Sequence, residues 1–313
     1  PRALELDRIT IVDWMKSKKL SNESIAEMRG FCHGLLCSEP EDASVLSLLW
    51  YVASSKGLFN AVDHETGLLK YIADDTLSSL AENMCTDFRD RIVFDCQVIA
   101  VNEKVDYFEI VTNREVWHTK RVLFAIPPKA LSRISLPDGV SQEQKRAFYE
   151  FNPGNAFACF AVFDTPFWKE KGLSGTIIGD SWLSTTFDVS NELQEVGILD
   201  CMLSPGKSVE FATFSSEEQK KLILKDIRNY FDNPDLEPFE IYVGNWHNEF
   251  PYFGSFGWKL APGYFTHHYG NLKQEVPGLF FSGTEFSDEF PGYVEGAIRS
   301  GKKQAIRVIN SLG

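Results

Sequence analysis

The sequence has no C-x-x-C pair, no histidine spacing suited to a metal, no long apolar run, no basic stripe and no Gly/Ser linker or internal repeat. Each absence removes a class of function. The six cysteines (Cys32, Cys37, Cys85, Cys96, Cys159, Cys201) are scattered singly among six dispersed histidines, so zinc modules and dithiol redox centres are not expected. Buried free thiols are the expectation, and they mildly favour a reducing compartment without identifying one. His267 and His268 are adjacent, and in a strand they would face opposite ways, which argues against a metal pair. A spanning helix needs about 20 apolar residues in a row, and no segment approaches that. With 31 Lys+Arg against 44 Asp+Glu the net charge is −13, and no basic stripe stands ready to neutralise phosphates, which argues against nucleic acid as a main partner.

What is present is a chain of 313 residues with 25 Phe and 7 Trp, long enough for a large core and two domains, and aromatic enough to hold a flat ligand. It opens at Pro1 with no signal-peptide pattern and reads as starting in mid-sequence, so an upstream targeting segment is compatible with it. Asn22-Glu-Ser is a lone glycosylation sequon. The chain stops with its last helix, and no C-terminal membrane anchor is expected.

The first sixty residues read as helical. Thr10 is placed to cap a helix through Lys18, Ser21-Asn-Glu-Ser precedes another, and Val45-Leu-Ser-Leu-Leu-Trp-Tyr-Val is apolar enough to be buried on most sides. Arg91–Val101, Val105–Thr112 and Glu115–Ile126 read as a β-meander, its third strand stopped by Pro127-Pro128. Ser141-Gln-Glu-Gln reads as a capping box, and Ser215-Ser-Glu-Glu caps another helix, which carries the stripe Ile223, Leu224, Ile227, Tyr230 and Phe231. Asn155–Phe163 and Ile241–Trp246 read as strands, the latter followed by a Gly/aromatic loop to Gly263. The fold class is mixed α/β and α+β, with elements that interleave.

The most informative stretch is the last. Leu279–Phe281 is a short apolar strand running into Gly283-Thr284-Glu285, and Pro291-Gly292-Tyr293 opens a final helix. Strand, glycine turn, loop and helix start make a ligand crevice at the carboxyl end of a buried strand. The free N–H groups of the helix start favour an electron-rich group, and Gly296 and Gly301 would let the helix approach something flat. This segment resembles the C-terminal flavin-binding signature of the flavin-dependent amine oxidases, the superfamily of monoamine, polyamine and L-amino-acid oxidases.

The likeness continues in order along nearly the whole chain. Glu39-Pro-Glu-Asp-Ala-Ser with the Leu-Trp-Tyr-Val helix resembles a substrate-domain helix of that family. Arg91-Ile-Val-Phe-Asp-Cys-Gln-Val98 resembles the segment whose valine backbone holds the flavin adenine. Ala125-Ile126-Pro127-Pro128 matches the turn beside the cofactor, and Pro166-Phe-Trp168 followed by Gly172 matches another family segment. Asn245-Trp246-x-x-Glu249 matches the strand whose Trp lies against the isoalloxazine. The resemblance implies oxidation of a small amine or amino acid to an imine, with oxygen as acceptor and hydrogen peroxide as product. It implies noncovalent FAD, since Ser255 stands where some members carry the cysteine that bonds to flavin. Tyr293 and Phe256 would be the two walls of an aromatic cage in front of the ring. Gly283, Thr284, Glu285, Gly292 and the Val294 N–H would hold the cofactor, the last at the pyrimidine edge.

Three departures accompany the resemblance. The family's G-x-G-x-x-G fingerprint is absent from all 313 residues, so an unseen N-terminal segment or another chain would have to complete the fold. Ala158 stands where many active members have a lysine that holds a water near the flavin. Asp74-Asp75 stands where the family has glycines, and carboxylates there would repel a pyrophosphate. Two readings stay open: an oxidase whose N-terminal part is not in this chain, and a degenerate fold kept as a structural or assembly subunit. A demethylase-like or desaturating flavoenzyme is a third. In the domain division the resemblance implies, residues 1–68 and 149–249 form the substrate domain, and 69–148 and 250–313 the remaining part of the flavin-binding fold. Arg29, Arg114 and Arg146 are available for a substrate carboxylate, but none lies in a matched motif and none is assigned.

Overall fold

The computed structural model describes residues 2–63, 66–71, 73, 76–191, 195–246 and 254–313. Asp74-Asp75 and Glu249 lie outside the described residues. The chain divides into two compact units, residues 1–51 with 149–270 and residues 52–148 with 271–313.

The first unit is built on a five-stranded antiparallel sheet of order β6-β7-β8-β5-β9. Its strands are β5 (Phe157–Phe163), β6 (Ile177–Ile178), β7 (Leu183–Asp188), β8 (Gly197–Leu203) and β9 (Glu240–Asn245). Period-two alternation sends Phe157, Cys159, Ala161 and Phe163 into a core with Leu199, Cys201 and the stripe of the Ser216–Tyr230 helix. That helix is capped at Ser215 as expected, and the cap is a full reciprocal box with Glu218. Ala158, Phe160 and Val162 point to the other face, part of which is covered by the Asn22–Leu36 helix against β7 and β8. Thr10 caps its helix as expected, accepting from the Asp13 N–H, and Ser21 caps the next, accepting from the Ser24 N–H. A second aromatic cluster gathers on Trp50, whose ring centroid lies 5.3 Å from Trp258 and 5.2 Å from Phe265.

In this unit two sequence expectations are refined. His267 and His268 lie on a helical turn, not a strand, and take separate partners: His267 Nδ1 meets the Gly263 carbonyl at 2.8 Å and His268 Nε2 meets Glu150 at 3.0 Å. Arg29 is fully engaged by Glu39 and Glu41, at 2.5 and 2.6 Å.

The second unit contains an antiparallel meander of β1 (Val98–Glu103), β2 (Phe108–Thr112) and β3 (Val116–Thr119), and a parallel pair of β4 (Val122–Phe124) and β10 (Leu279–Phe281). The meander is therefore shorter at its start than the sequence suggests. Thr86–Arg91 is a tight 3-10 turn, and the chain enters the ladder only at Val98. The single strand expected over Glu115–Ile126 is two. At Lys120-Arg121 the chain leaves the meander, with the Thr119 hydroxyl donating to the Arg121 carbonyl at 2.9 Å, and crosses to pair with β10. The Ser141 box is half-formed. The Gln144 N–H reaches Ser141 Oγ at 3.1 Å, but the Gln144 side chain donates to the Gln274 carbonyl at 3.0 Å instead of returning to the cap. Among the described residues no helix is long and apolar enough to cross a membrane.

Candidate functional site

In the second unit, β4 and β10 run parallel, so their carboxyl ends lie side by side. The Ser282 N–H donates to the Phe124 carbonyl at 2.8 Å, which sets the Ala125–Pro127 turn beside Gly283. Pro127 is then the N-cap of the short helix Pro128–Leu131, whose first residue Pro128 lacks the N–H that would go unbonded there. Gly283 has φ +146°, a conformation that L side chains rarely adopt, and it turns the chain out of the sheet. From there Thr284 closes the loop. Its hydroxyl accepts the Gly292 N–H at 2.7 Å and donates to the Tyr293 carbonyl at 3.0 Å.

The loop delivers the chain to the helix Val294–Asn310, with Tyr293 as N-cap. Tyr293 makes no side-chain cap to the first turn, and its hydroxyl donates to the Ala61 carbonyl at 3.1 Å. The first N–H groups of this helix therefore lack a cap from Tyr293, and Val294 is half-exposed. Gly296 and Gly301 seat the helix on its own unit. A Cβ at Gly296 would fall on the Phe290 carbonyl, while one at Gly301 would lie 4.0 Å from Ser282 Oγ. The approach to something flat that the sequence suggested is in part an approach to this loop. Between them, buried Ser300 accepts the Gly283 N–H at 3.3 Å. Phe290, itself at φ +53°, lies between the Lys56 ammonium at 5.0 Å and the Arg299 guanidinium at 5.3 Å.

Glu285 follows Thr284 on the same turn. Burial pushes its carboxyl up to about 7, against a weaker opposing bond from its own backbone N–H. Val98 belongs to the meander, half-buried at the first pairing with Thr112, where the ladder is irregular.

In the first unit, Trp246 follows β9 and is 45 % exposed. Its indole nitrogen lies back over Gly244, 3.7 Å from where a Cβ would stand. Ala158 of β5 is the cross-strand partner of Gly244, so two very small side chains meet beneath that ring. Phe256, 51 % exposed, sits on a loop held at both ends. Gly154 N–H donates to the Gly257 carbonyl at 2.6 Å, and Ser255 N–H donates to the Gly154 carbonyl at 2.9 Å. Ser255 Oγ also contacts the Cys37 thiol at 3.5 Å, whose pKa burial pushes up to about 11. Four of the six cysteines are buried, and all six are free.

Of the residues singled out from sequence, Ala125, Pro127, Gly283, Thr284, Glu285, Gly292, Tyr293 and Val294 belong to the second unit, together with Val98. Trp246 and Phe256 belong to the first. Sequence reasoning passed over Asp200, a lone acid in the otherwise apolar strand Gly197–Leu203, whose carboxyl burial pushes up to about 6.

The family model for flavin containing amine oxidoreductase matches residues 16–309. The chain belongs to that family. The amine oxidase [flavin-containing] of Danio rerio is 25 % identical, aligned over all of this chain and 61 % of its own length. The putrescine oxidase of Kocuria rosea is 28 % identical over 99 % of this chain and 68 % of its own. Among solved structures, a putrescine oxidase with putrescine bound superposes with a TM-score of 0.88 at 24 % identity, covering 99 % of this chain and 70 % of that one. Cyclohexylamine oxidase from Brevibacterium oxydans IH-35A also gives 0.88, at 19 % identity, with coverage of 100 % and 70 %. The flavin amine oxidase fold expected from sequence is thereby shown. The chain spans roughly three fifths to seven tenths of the length of these relatives.

Family membership implies FAD, and the residues present fit it. The uncapped helix start offers N–H groups to an electron-rich ring edge. Gly283 and Gly292 let backbone come close. Glu285, held near neutrality by burial, can donate a hydrogen bond to a hydroxyl or phosphate oxygen. The G-x-G-x-x-G pyrophosphate cradle is not among these 313 residues, so the chain supplies part of an FAD site.

Proposed function

We propose that this chain is the larger, C-terminal part of an FAD-dependent oxidase that converts a small amine to an imine, with oxygen as acceptor and hydrogen peroxide as product. The observation that carries this is the closed unit of β10, Gly283, the Thr284 lock and the open helix start at Tyr293–Val294. The relatives are named for amines, which favours an amine over an L-amino acid as substrate. In the same reading residues 1–68 and 149–249 serve the substrate, and 69–148 and 250–313 serve the cofactor. An upstream segment or a second chain completes the dinucleotide site.

The flavin supplies two-electron chemistry when bound; the protein supplies binding, orientation and electrostatics. Tyr293 is assigned as an aromatic wall that holds a neutral amine in line by shape and by attraction to its face, and the resemblance gives Phe256 the same role. The Tyr293 ring is fixed for that task by its hydroxyl bond to Ala61. Trp246 presents a flat face next to the small pair Ala158 and Gly244. The Val294 N–H is assigned to the ring edge where negative charge accumulates. Ala125 and Pro127 line the turn beside it, and Val98 holds the adenine end.

A second reading, a degenerate fold acting as an assembly subunit, is favoured by Ala158. Paired with Gly244, Ala158 has no polar group of its own to hold a water. One measurement separates the two. The native full-length protein is scanned between about 350 and 500 nm, where flavins absorb, then exposed to amines without oxygen. Flavin bands near stoichiometry that bleach with an amine support the oxidase. A colourless protein that stays colourless with added FAD puts the assembly role first.

A further inference from the structure

Cys37 follows the Asn22–Leu36 helix at φ +48°, a left-handed position that glycine or asparagine usually fills. A β-carbon there costs stability, and such outliers persist where the residue does more than end a helix. The turn around it is held firmly. The Cys37 N–H donates to the His33 carbonyl at 3.1 Å, and the Cys37 carbonyl accepts the Asn155 N–H at 2.8 Å. Two residues on, the Glu39 carboxylate meets His33 Nε2 at 2.9 Å, Arg29 Nη1 at 2.5 Å and the Gly206 N–H at 2.9 Å.

The loop that carries Phe256 packs onto this turn through glycines. A Cβ at Gly154 would fall 2.5 Å from Cys37 Cβ, and one at Gly257 would fall 2.4 Å from the Leu36 carbonyl carbon. Neither place takes a larger residue without displacing its neighbours. Gly154 itself secures the Ser255 N–H and the Gly257 carbonyl. The Cys37 sulfur takes the groups those bonds leave over: Ser255 Oγ lies 3.5 Å from it, and the Gly257 N–H also reaches it. Phe256, the residue between those two contacts, is 51 % exposed.

The chemistry of the thiol suits a pin and not a nucleophile. It is completely buried, packed with Ala156 and Met202, and burial raises its pKa to about 11, so it stays protonated and neutral. A neutral thiol is both a weak donor and a weak acceptor, so one sulfur can accept the Gly257 N–H and donate to the Ser255 hydroxyl.

We propose that Cys37 is a positioning residue for Phe256: its sulfur pins the chain on both sides of that residue and so fixes the aromatic face it presents to a substrate amine. This rests on the oxidase reading above, in which the resemblance makes Phe256 a wall for the amine. The pin itself lies wholly within the first unit.

The test uses the flavin-loaded full-length protein, with benzylamine and pentylamine as probes. Two readouts are kept apart: amide hydrogen exchange over residues 254–258, and kcat/KM at equal flavin content. Cys37→Ala should speed exchange in that loop about tenfold. It should also lower kcat/KM about tenfold, through looser orientation of the amine. Cys37→Ser, whose hydroxyl offers the same donor and acceptor, should recover most of both. Cys37→Gly relieves the left-handed strain, so it should unfold at a higher temperature than Cys37→Ala and still lose the same activity. In a Phe256→Ala background, Cys37→Ala should change kcat/KM by less than about twofold, because the ring it positions is gone. Losses that multiply in the double variant, or loop exchange unmoved in Cys37→Ala, overturn the proposal. If that happens while an amine bleaches the wild-type flavin without oxygen, Cys37 is a packing residue and the oxidase reading stands. If neither amine bleaches it, the oxidase reading falls and the proposal falls with it.

Discussion

The Thr284 hydroxyl accepts the Gly292 N–H at 2.7 Å, and this bond spans the whole loop between β10 and the last helix. The same oxygen donates to the Tyr293 carbonyl at 3.0 Å. Thr284→Val keeps the shape and removes both. It leaves the Gly292 N–H unserved and takes one of two donors from the Tyr293 carbonyl, which also accepts the Ala297 N–H at 3.3 Å, a cost of about 1–3 kcal/mol. Thermal unfolding should show a lower midpoint, and flavin retention on gel filtration should weaken with it. Unchanged retention despite the lower midpoint would separate the lock from the cofactor site.

The two glycines of the last helix should respond in opposite ways. A Cβ at Gly296 falls on the Phe290 carbonyl, which is backbone and has nowhere to go. Gly296→Ala is expected to cost about 2–3 kcal/mol through forced displacement of the loop. At Gly301 the nearest atom is Ser282 Oγ at 4.0 Å, an ordinary contact. Gly301→Ala should gain about 0.5–1 kcal/mol from helix propensity. Denaturant unfolding of the pair checks the contrast, and equal effects would mean the loop does not rest on the helix as described.

Glu285 makes the fold pH-dependent. Burial raises its pKa from 4.5 to about 7. The group therefore favours the fold fully below the unfolded value, and that contribution is lost as pH rises through about 7. Glu285→Gln removes the titration. The full shift corresponds to about 3 kcal/mol, and partial solvation of the side chain reduces the expected gain to about 2 kcal/mol at pH 8.5. At pH 4 the two proteins should unfold at nearly the same temperature. A constant difference across that range would place the effect in packing and not in ionisation.

Much of this was legible locally. Thr10, Ser21 and the Ser215–Glu218 pair are caps whose signal lies within four residues, and each forms. The ordered motifs around Gly283 and Gly292 pointed to the family through their resemblance to its flavin-binding signature, and the family model matches residues 16–309. What failed depended on distant partners. The Gln144 side chain abandons its box because the Gln274 carbonyl is at hand, 130 residues away. The β-branched residues after Arg91 do not pair, since β2 offers them no register before Val98. Asp200 was invisible because the burial of one carboxyl is a property of the packed sheet and leaves no mark in the strand's own sequence.

Tyr293 joins the last helix to the aromatic cage assigned to it, and two substitutions separate its roles. Tyr293→Phe removes only the hydroxyl bond to Ala61, at 3.1 Å, and keeps the ring. Stability should fall by about 1 kcal/mol, the net value of a neutral hydrogen bond. Turnover should fall less than fivefold, because the ring face that orients the amine is still there. Tyr293→Ala removes the wall. The helix start remains, since its N-cap contributes no side-chain acceptor, so flavin absorption should survive. Amine oxidation, measured as peroxide release, should fall by about a hundredfold, the usual scale for losing one orienting group. If Tyr293→Ala oxidises amines as well as the wild type while flavin content is equal, Tyr293 is a packing residue and the cage lies elsewhere. If flavin is lost along with activity, the residue acts first on the cofactor, and its aromatic face has to be tested through Tyr293→Trp.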